Sequence, residues 1–121
     1  MDKSHTIEVA ATIWQQLKQY TDYNILWSWG IRNIRAAEID SRAGLAFDVN
    51  GFLFKGTVVV VLDEGADLYD ICLLQKNTVT IVSQGIYFDD LGSEIDSIVE
   101  RSPGMTDAEY NQMVNSAYSD N

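Results

Sequence analysis

Residues that carry out nucleophilic and acid–base catalysis are scarce in this chain. It contains one histidine, His5, and one cysteine, Cys72, so a Ser or Cys nucleophile could draw on a single imidazole base. His5 lies near the amino terminus, where we expect it to be solvated. Cys72 lies in the apolar run 71–74, which predicts a buried structural thiol. These residues therefore predict no catalytic dyad.

Metal ligands are equally sparse. One Cys and one His cannot supply the nitrogen and sulfur ligands of a zinc site. Oxygen ligands, which calcium prefers, cluster at Asp63, Glu64 and Asp67, but this segment lacks the EF-hand pattern. We expect no metal and no cofactor, and we retain these three acids as candidate binding residues.

Paired carboxylates could in principle perform acid–base catalysis. Twelve acids among residues 63–121 supply many pairs, but nothing in the sequence predicts a pocket that would separate their pKa values. The glycines form no strand–turn–helix unit of the kind that binds phosphates. The sequence therefore favours a non-enzymatic protein, with enzymatic turnover kept as an alternative.

Two tryptophans, Trp27 and Trp29, form a further candidate site. Two residues apart on a strand, they would share one face of the sheet. Buried, they would be core anchors; exposed, they would be a platform for a partner or a ligand, because aromatic side chains dominate binding hot spots. Arg32 and Arg35 could then add stacking or phosphate contacts. Both alternatives stay open from the sequence.

The net charge of −10 resides in the second half of the chain. Residues 1–62 carry six basic and six acidic residues, whereas residues 63–121 carry two basic and twelve acidic ones. We expect Asp89, Asp96 and Glu100 on the solvent face of a helix. These acids could serve solubility alone, or they could form a surface for a basic protein partner, including by mimicry of nucleic-acid phosphates.

Acidity and hydropathy also limit the remaining functions. A chain with this charge is not expected to bind DNA, RNA or an anionic membrane through a broad basic face. Its longest clear apolar run, 58–62, is far shorter than the ~20 residues that span a bilayer. The amino terminus has no signal-peptide pattern, so we expect a cytoplasmic protein.

The first half of the chain must position these residues through a helix and a hairpin. Residues 6–21 predict an amphipathic helix that Thr6 caps, with an apolar stripe at helical spacing: Ile7, Ala10, Ile13, Trp14, Leu17 and Tyr20. Alternation over 24–32 favours a strand, and 32–39 continues it or forms a second one. Asn50-Gly51 predicts a two-residue hairpin that pairs Val49 with Phe52.

The second half predicts two more strands and two helices. Residues 63–67 form a loop, 68–74 and 78–83 are strands, and Lys76-Asn77 is a tight turn. A second helix follows Asp89 or Asp90, with Leu91, Ile95, Ile98 and Val99 on its apolar stripe. A third helix begins with a capping box at 106–109, and its own stripe needs cover from this chain or from a second copy.

Several of these segments resemble a loose group of small uncharacterised proteins from Bacteroidetes phages and mobile elements. The resemblance covers roughly residues 10–101 and is carried by four segments: Trp27-Ser28-Trp29-Gly30, Val49 to Gly56, Asp67 to Ile71 and Ile86 to Asp89. It implies an accessory protein of a mobile element and brings no catalytic residues.

Together these patterns predict one α+β domain over residues 1–121. Four to five antiparallel strands form a meander, with an N-terminal helix and two C-terminal helices. The leading functional hypothesis is an interaction protein with a basic partner. The alternatives are a ligand-binding domain or enzyme with a pocket near the tryptophans, and a self-assembling structural protein that pairs through the third helix.

Overall fold

The computed structural model describes residues 3–100. Within this range the elements are α1 (Lys3–Tyr20), α2 (Tyr23–Ser28), β1 (Arg32–Ile39), β2 (Arg42–Asn50), β3 (Lys55–Asp63), β4 (Leu68–Gln75), β5 (Thr78–Ile86) and α3 (Leu91–Val99). The strands form one antiparallel sheet in the order β1-β2-β3-β4-β5. This confirms the α+β meander with an N-terminal helix and a helix after the last strand. The predicted third helix lies outside the described residues.

Helix α1 begins earlier than predicted, and its buried stripe shares Ala10, Ile13 and Leu17 with the predicted one. Thr6 was predicted to cap the helix but lies inside it, on the buried side. The buried positions are Val9, Ala10, Ile13 and Leu17, which recur at intervals of three and four. Ile7 and Tyr20, which the sequence placed on the stripe, are exposed.

The strand predicted over 24–32 is wrong, because residues 23–28 form α2. Asp22 begins this helix: its carboxylate accepts a hydrogen bond of 2.8 Å from the backbone N–H of Asn24. Gly30, with φ of 61°, follows the helix in a conformation that glycine adopts without strain. The buried residues Leu26 and Trp29 are three apart, which is helical spacing.

The tight turn predicted at Lys76-Asn77 is confirmed, and Asp40-Ser41 forms a second two-residue turn. Asp40-Ser41 joins β1 to β2, and Lys76-Asn77 joins β4 to β5. All four residues have positive φ angles between 50° and 68°, as a type I′ turn requires.

The two-residue turn at Asn50-Gly51 is wrong. Asn50 pairs with Lys55, so residues 51–54 form a four-residue loop. This loop closes the carboxyl end of α3, because the N–H groups of Leu53 and Phe54 both donate to the carbonyl of Val99. The observed register differs from the predicted one by four residues, an even number, so the side chains of β2 and β3 keep their predicted faces.

Helices α1 and α3 cover one face of the sheet, as the sequence predicted. We call it the helix-covered face. Its strands contribute a buried set that packs with both helices: Leu45, Phe47, Val49, Val58, Val60, Tyr69 and Ile71. From α3 the core receives Leu91, Ile95 and Val99, all fully buried. This core fixes α3 and the residues that α3 carries.

The opposite face holds a smaller buried cluster of Ala46, Val59, Val61 and Cys72. Cys72 is thus the buried thiol that the sequence predicted, and burial raises its pKa. An ion pair of 2.9 Å joins Arg42 on β2 to Asp70 on β4 across the intervening β3. Among the described residues, no helix is both long enough and apolar enough to cross a membrane.

Candidate functional site

The two candidate tryptophans do not share a face. Trp27 is 56% exposed on α2, whereas Trp29 is fully buried. The reason is the helix: two residues along a helix are about 200° apart around its axis, whereas on a strand they point the same way. Trp29 is therefore a buried core anchor, whereas Trp27 is exposed at the surface.

Trp29 joins the core to α3. Its ring stacks on Phe47 with a centroid separation of 6.3 Å and an interplanar angle of 10°. Its indole N–H donates a buried hydrogen bond of 2.9 Å to Oδ1 of Asp96. Because a buried indole N–H and a buried carboxylate both need a partner, this bond couples α3 to the end of α2.

The prediction that Asp96 and Glu100 face solvent is wrong. Asp96 is 5% exposed and Glu100 only 1%. The buried side of α3 is wider than its apolar stripe. The residue that directly follows each of Leu91, Ile95 and Val99 is buried as well; these residues are Gly92, Asp96 and Glu100. Gly92 marks this wide contact: a Cβ there would lie 2.1 Å from Oγ1 of Thr21.

Glu100 has a raised pKa, which the sequence did not predict. Burial, together with the nearby charge of Asp96, raises its pKa to about 7. A hydrogen bond from the backbone N–H of Phe52 acts in the opposite direction. Its Oε2 atom is buried and has no hydrogen-bond partner among residues 3–100. A carboxyl group that titrates near neutral pH can hold or release a proton under ordinary conditions.

A cleft of about 290 Å³ adjoins Glu100. Its lining comes from the end of α2, the facing ends of β2 and β3 with the loop between them, and the C-cap residue of α3: Ser28, Asn50, Gly51, Phe52, Lys55 and Glu100. The cleft therefore carries one acid and one base, and it lies beside the segment that contains both tryptophans. The sequence left open a small-ligand pocket near the tryptophans as an alternative, and this cleft lies in that part of the fold.

A second candidate surface lies where the carboxyl end of α1 meets α2 and the 87–90 segment. Tyr20 contacts Phe88 edge-to-face at 5.3 Å, and Tyr23 lies 6.2 Å from Trp27. All four rings are exposed, as are the neighbouring acids Asp22, Asp89 and Asp90. We call these seven residues the aromatic–acidic surface. A groove of about 210 Å³ lined by Tyr20 and Asp22 runs from it towards α3.

Of the predicted site residues, only Trp27 and Asp89 belong to this surface. The sequence reasoning missed Tyr20, Tyr23 and Phe88. Tyr23 and Trp27 are spaced i and i+4, and Asp22 is a good N-cap residue, so a helical interpretation of 23–28 would have found the ring pair.

The acidic loop 63–67 lies elsewhere, at the amino end of α1. Nε2 of His5 lies 2.6 Å from Oε1 of Glu64. Asp63 forms hydrogen bonds within the turn. Its backbone carbonyl accepts a hydrogen bond from the N–H of Asp67, and its side chain accepts one from the N–H of Ala66. Across residues 3–100, no three His, Cys, Asp or Glu side chains are grouped so that they could hold a metal ion.

No protein-family model, no curated protein and no solved structure matches this chain.

Proposed function

We propose that this protein is a non-enzymatic interaction module whose aromatic–acidic surface binds a basic segment of a protein partner. The observation that carries the proposal is the exposure of Tyr20, Tyr23, Trp27 and Phe88 beside three exposed acids. Segments 19–31 and 77–100, which build the surface, contain no Lys or Arg. Clustered exposed aromatic residues are typical of binding sites.

The chemistry of this surface suits arginine and lysine side chains. Guanidinium groups stack on Trp and Tyr rings, and carboxylates accept their hydrogen bonds. The exposed acids would also accelerate the encounter with a basic partner, in a salt-dependent way. In line with the resemblance to mobile-element proteins, the partner we propose is a basic host protein in the cytoplasm, where the single thiol Cys72 stays reduced.

Selection from a random 12-residue peptide library tests this proposal. We expect the selected peptides to be enriched in Arg and Lys. Trp27→Ala should weaken their binding by about tenfold or more, as truncation of a hot-spot aromatic does. Phe52→Ala is the matched control, because Phe52 is equally exposed but lies on the 51–54 loop. Peptides without a basic excess, or equal binding to Trp27→Ala, would contradict the proposal.

A second function is favoured by the unpartnered Oε2 of Glu100. We propose that the cleft beside it binds a small zwitterion, with an ammonium group at Glu100 and an acid group at Lys55. Opposite charges in the lining of one small cleft match that charge pattern. The aromatic–acidic surface remains the leading proposal, because it rests on seven exposed residues, whereas the cleft proposal rests on one unpartnered oxygen atom.

Titration with the free amino acids, in a Trp14→Phe/Trp27→Phe background that leaves Trp29 as the single tryptophan, tests the second function. Emission from Trp29 should change on binding, since its indole is bonded to Asp96 on the same helix as Glu100. The affinity should be about tenfold lower at pH 6 than at pH 8, because Glu100 must be ionised. Glu100→Gln should abolish binding. An unchanged response in that variant would contradict the site.

A further inference from the structure

The two edge strands of the sheet differ in the features that hinder a strand of another chain from pairing with them. Strand β1 carries Arg32, Arg35 and Glu38, and its pairing with β2 is interrupted between Arg32 and Arg35. Strand β5 carries no charged residue and no proline over nine residues. Charges and bulges are the usual protection of an edge against strand addition. Strand β5 therefore lacks the charges that protect β1, and over residues 78–81 its pairing with β4 is uninterrupted.

The outward backbone groups of β5 can be identified from its register. Gln75 and Thr78 flank the two-residue turn to β4, so they exchange hydrogen bonds with each other. In an antiparallel pair such residues alternate, so Thr80 is also bonded inward. The N–H and C=O groups of Val79 and Ile81 consequently point away from the sheet, along the free edge.

The side chains at the same positions are exposed and apolar. Val79 pairs with Leu74 and Ile81 with Cys72, which places both on the face opposite the helices. They are 46% and 52% exposed. Beyond Ile81 the pairing with β4 shifts, so the regular part of the edge is the β-branched run 78–81. Within the part of the chain that the structure describes, this edge thus combines unpaired backbone groups with exposed aliphatic side chains.

We propose that β5 pairs with β5 of a second copy of this chain, antiparallel and centred on Thr80. This register places Val79 opposite Ile81 of the partner subunit and Thr80 opposite Thr80 of the partner subunit. Aliphatic side chains then meet on one face and threonines on the other. Two chains of charge −10 repel each other, and an uncharged strand is the edge at which they meet with least repulsion.

A closed two-fold dimer uses both copies of the edge and leaves β1 free. It joins two five-stranded sheets into one of ten strands, and it extends the small apolar cluster around Cys72 across the junction. Each subunit keeps its own aromatic–acidic surface, so this inference stands apart from the proposed function. It also differs from self-association through the third helix, which the sequence suggested.

Cysteine cross-linking tests the register. Thr80 would form a non-hydrogen-bonded pair with its copy, with a Cα separation of about 4.5 Å, which a disulfide can span. We expect Thr80→Cys to form disulfide dimers on mild oxidation. Thr78→Cys is the matched control: it lies on the same strand and face, but its two copies would be roughly 14 Å apart. Equal cross-linking of both variants would overturn the proposal.

Sedimentation equilibrium tests the edge itself. Wild-type protein should contain dimers at concentrations of about 100 µM. Ile81→Lys should shift the dissociation constant at least tenfold upward, because it places a desolvated charge in the junction. Ile34→Lys, at an exposed aliphatic residue of the protected edge β1, should leave it unchanged. A wild-type monomer at this concentration, or a larger effect of Ile34→Lys, would overturn the proposal.

Discussion

Glu100 and Asp96 place two carboxyl groups on the buried side of α3, at the carboxyl end of the helix. Three effects there oppose a negative charge on Glu100: its loss of water, the nearby Asp96 and the partial negative charge of the helix terminus. The bond from Trp29 satisfies one oxygen of Asp96, whereas Oε2 of Glu100 has no partner. Glu100 is therefore the group whose protonation the fold favours.

We predict that this protein loses stability as the pH rises from about 4.5 to about 7. The folded state holds the proton of Glu100 up to a pKa of about 7, whereas the unfolded chain releases it near the ordinary value of 4.5. The free energy of unfolding should therefore fall by at most about 3 kcal/mol across this window and then level off. Urea denaturation at a series of pH values measures the change.

Two variants separate Glu100 from the other carboxylates. Glu100→Gln should remove most of the fall and be more stable than wild type at pH 8. Glu94→Gln, a change of equal charge on the same helix, should keep the wild-type dependence. A Glu100→Gln protein with the full fall between pH 4.5 and 7 would show that another group causes it.

The contact between α3 and the 51–54 loop shows why a glycine can mislead a turn prediction. Gly51 lies outside the positive-φ region, so the turn does not require it for its backbone angles. It is required for space: a Cβ there would come within 2.3 Å of Cγ1 of Val99 and 2.4 Å of its carbonyl oxygen. The Asn-Gly pair is thus explained by a residue almost fifty positions later, which no local pattern reveals.

We predict that Gly51→Ala destabilises the protein by about 1–3 kcal/mol, the usual cost of overpacking a well-packed site. The added methyl group must displace either the loop or the end of α3. Gly65→Ala is the control, because its Cβ would meet only Oδ1 of Asp63, at 3.6 Å. Chemical denaturation of both variants gives the difference, and equal effects would contradict the close approach.

Periodicity and turn chemistry were sufficient for most elements of the sheet and insufficient for the site. Alternating residues placed Phe47, Val58 and Val60 on the correct face even though the register was wrong by four residues. The spacing of Ile25, Trp27 and Trp29 satisfies a strand pattern, but tertiary packing of Leu26 and Trp29 selects the helix. Burial of Asp96 and Glu100 depends on contacts with Trp29 and Phe52, which are remote in sequence.

At the scale of the whole molecule, the acids of residues 63–100 do not form one patch. Asp96 and Glu100 are buried, so they contribute nothing to an exposed surface. The acids of the 63–67 loop lie near His5, whereas Asp89 and Asp90 follow Phe88, which contacts Tyr20. The fifteen residues from His5 to Tyr20 span about 22 Å of helix α1. Two separate acidic regions therefore lie near opposite ends of this helix.

This separation yields a prediction that distinguishes local charge from bulk charge. Asp89→Asn/Asp90→Asn and Asp63→Asn/Asp67→Asn each remove two charges, so both double variants carry −8. At physiological salt the Debye length of about 8 Å is much shorter than the distance between the two regions. Binding of a selected basic peptide should weaken several-fold in the first variant and remain unchanged in the second. Isothermal titration calorimetry at 50 and 300 mM salt measures both effects. Equal losses in the two variants would assign the attraction to net charge and remove the case for the aromatic–acidic surface.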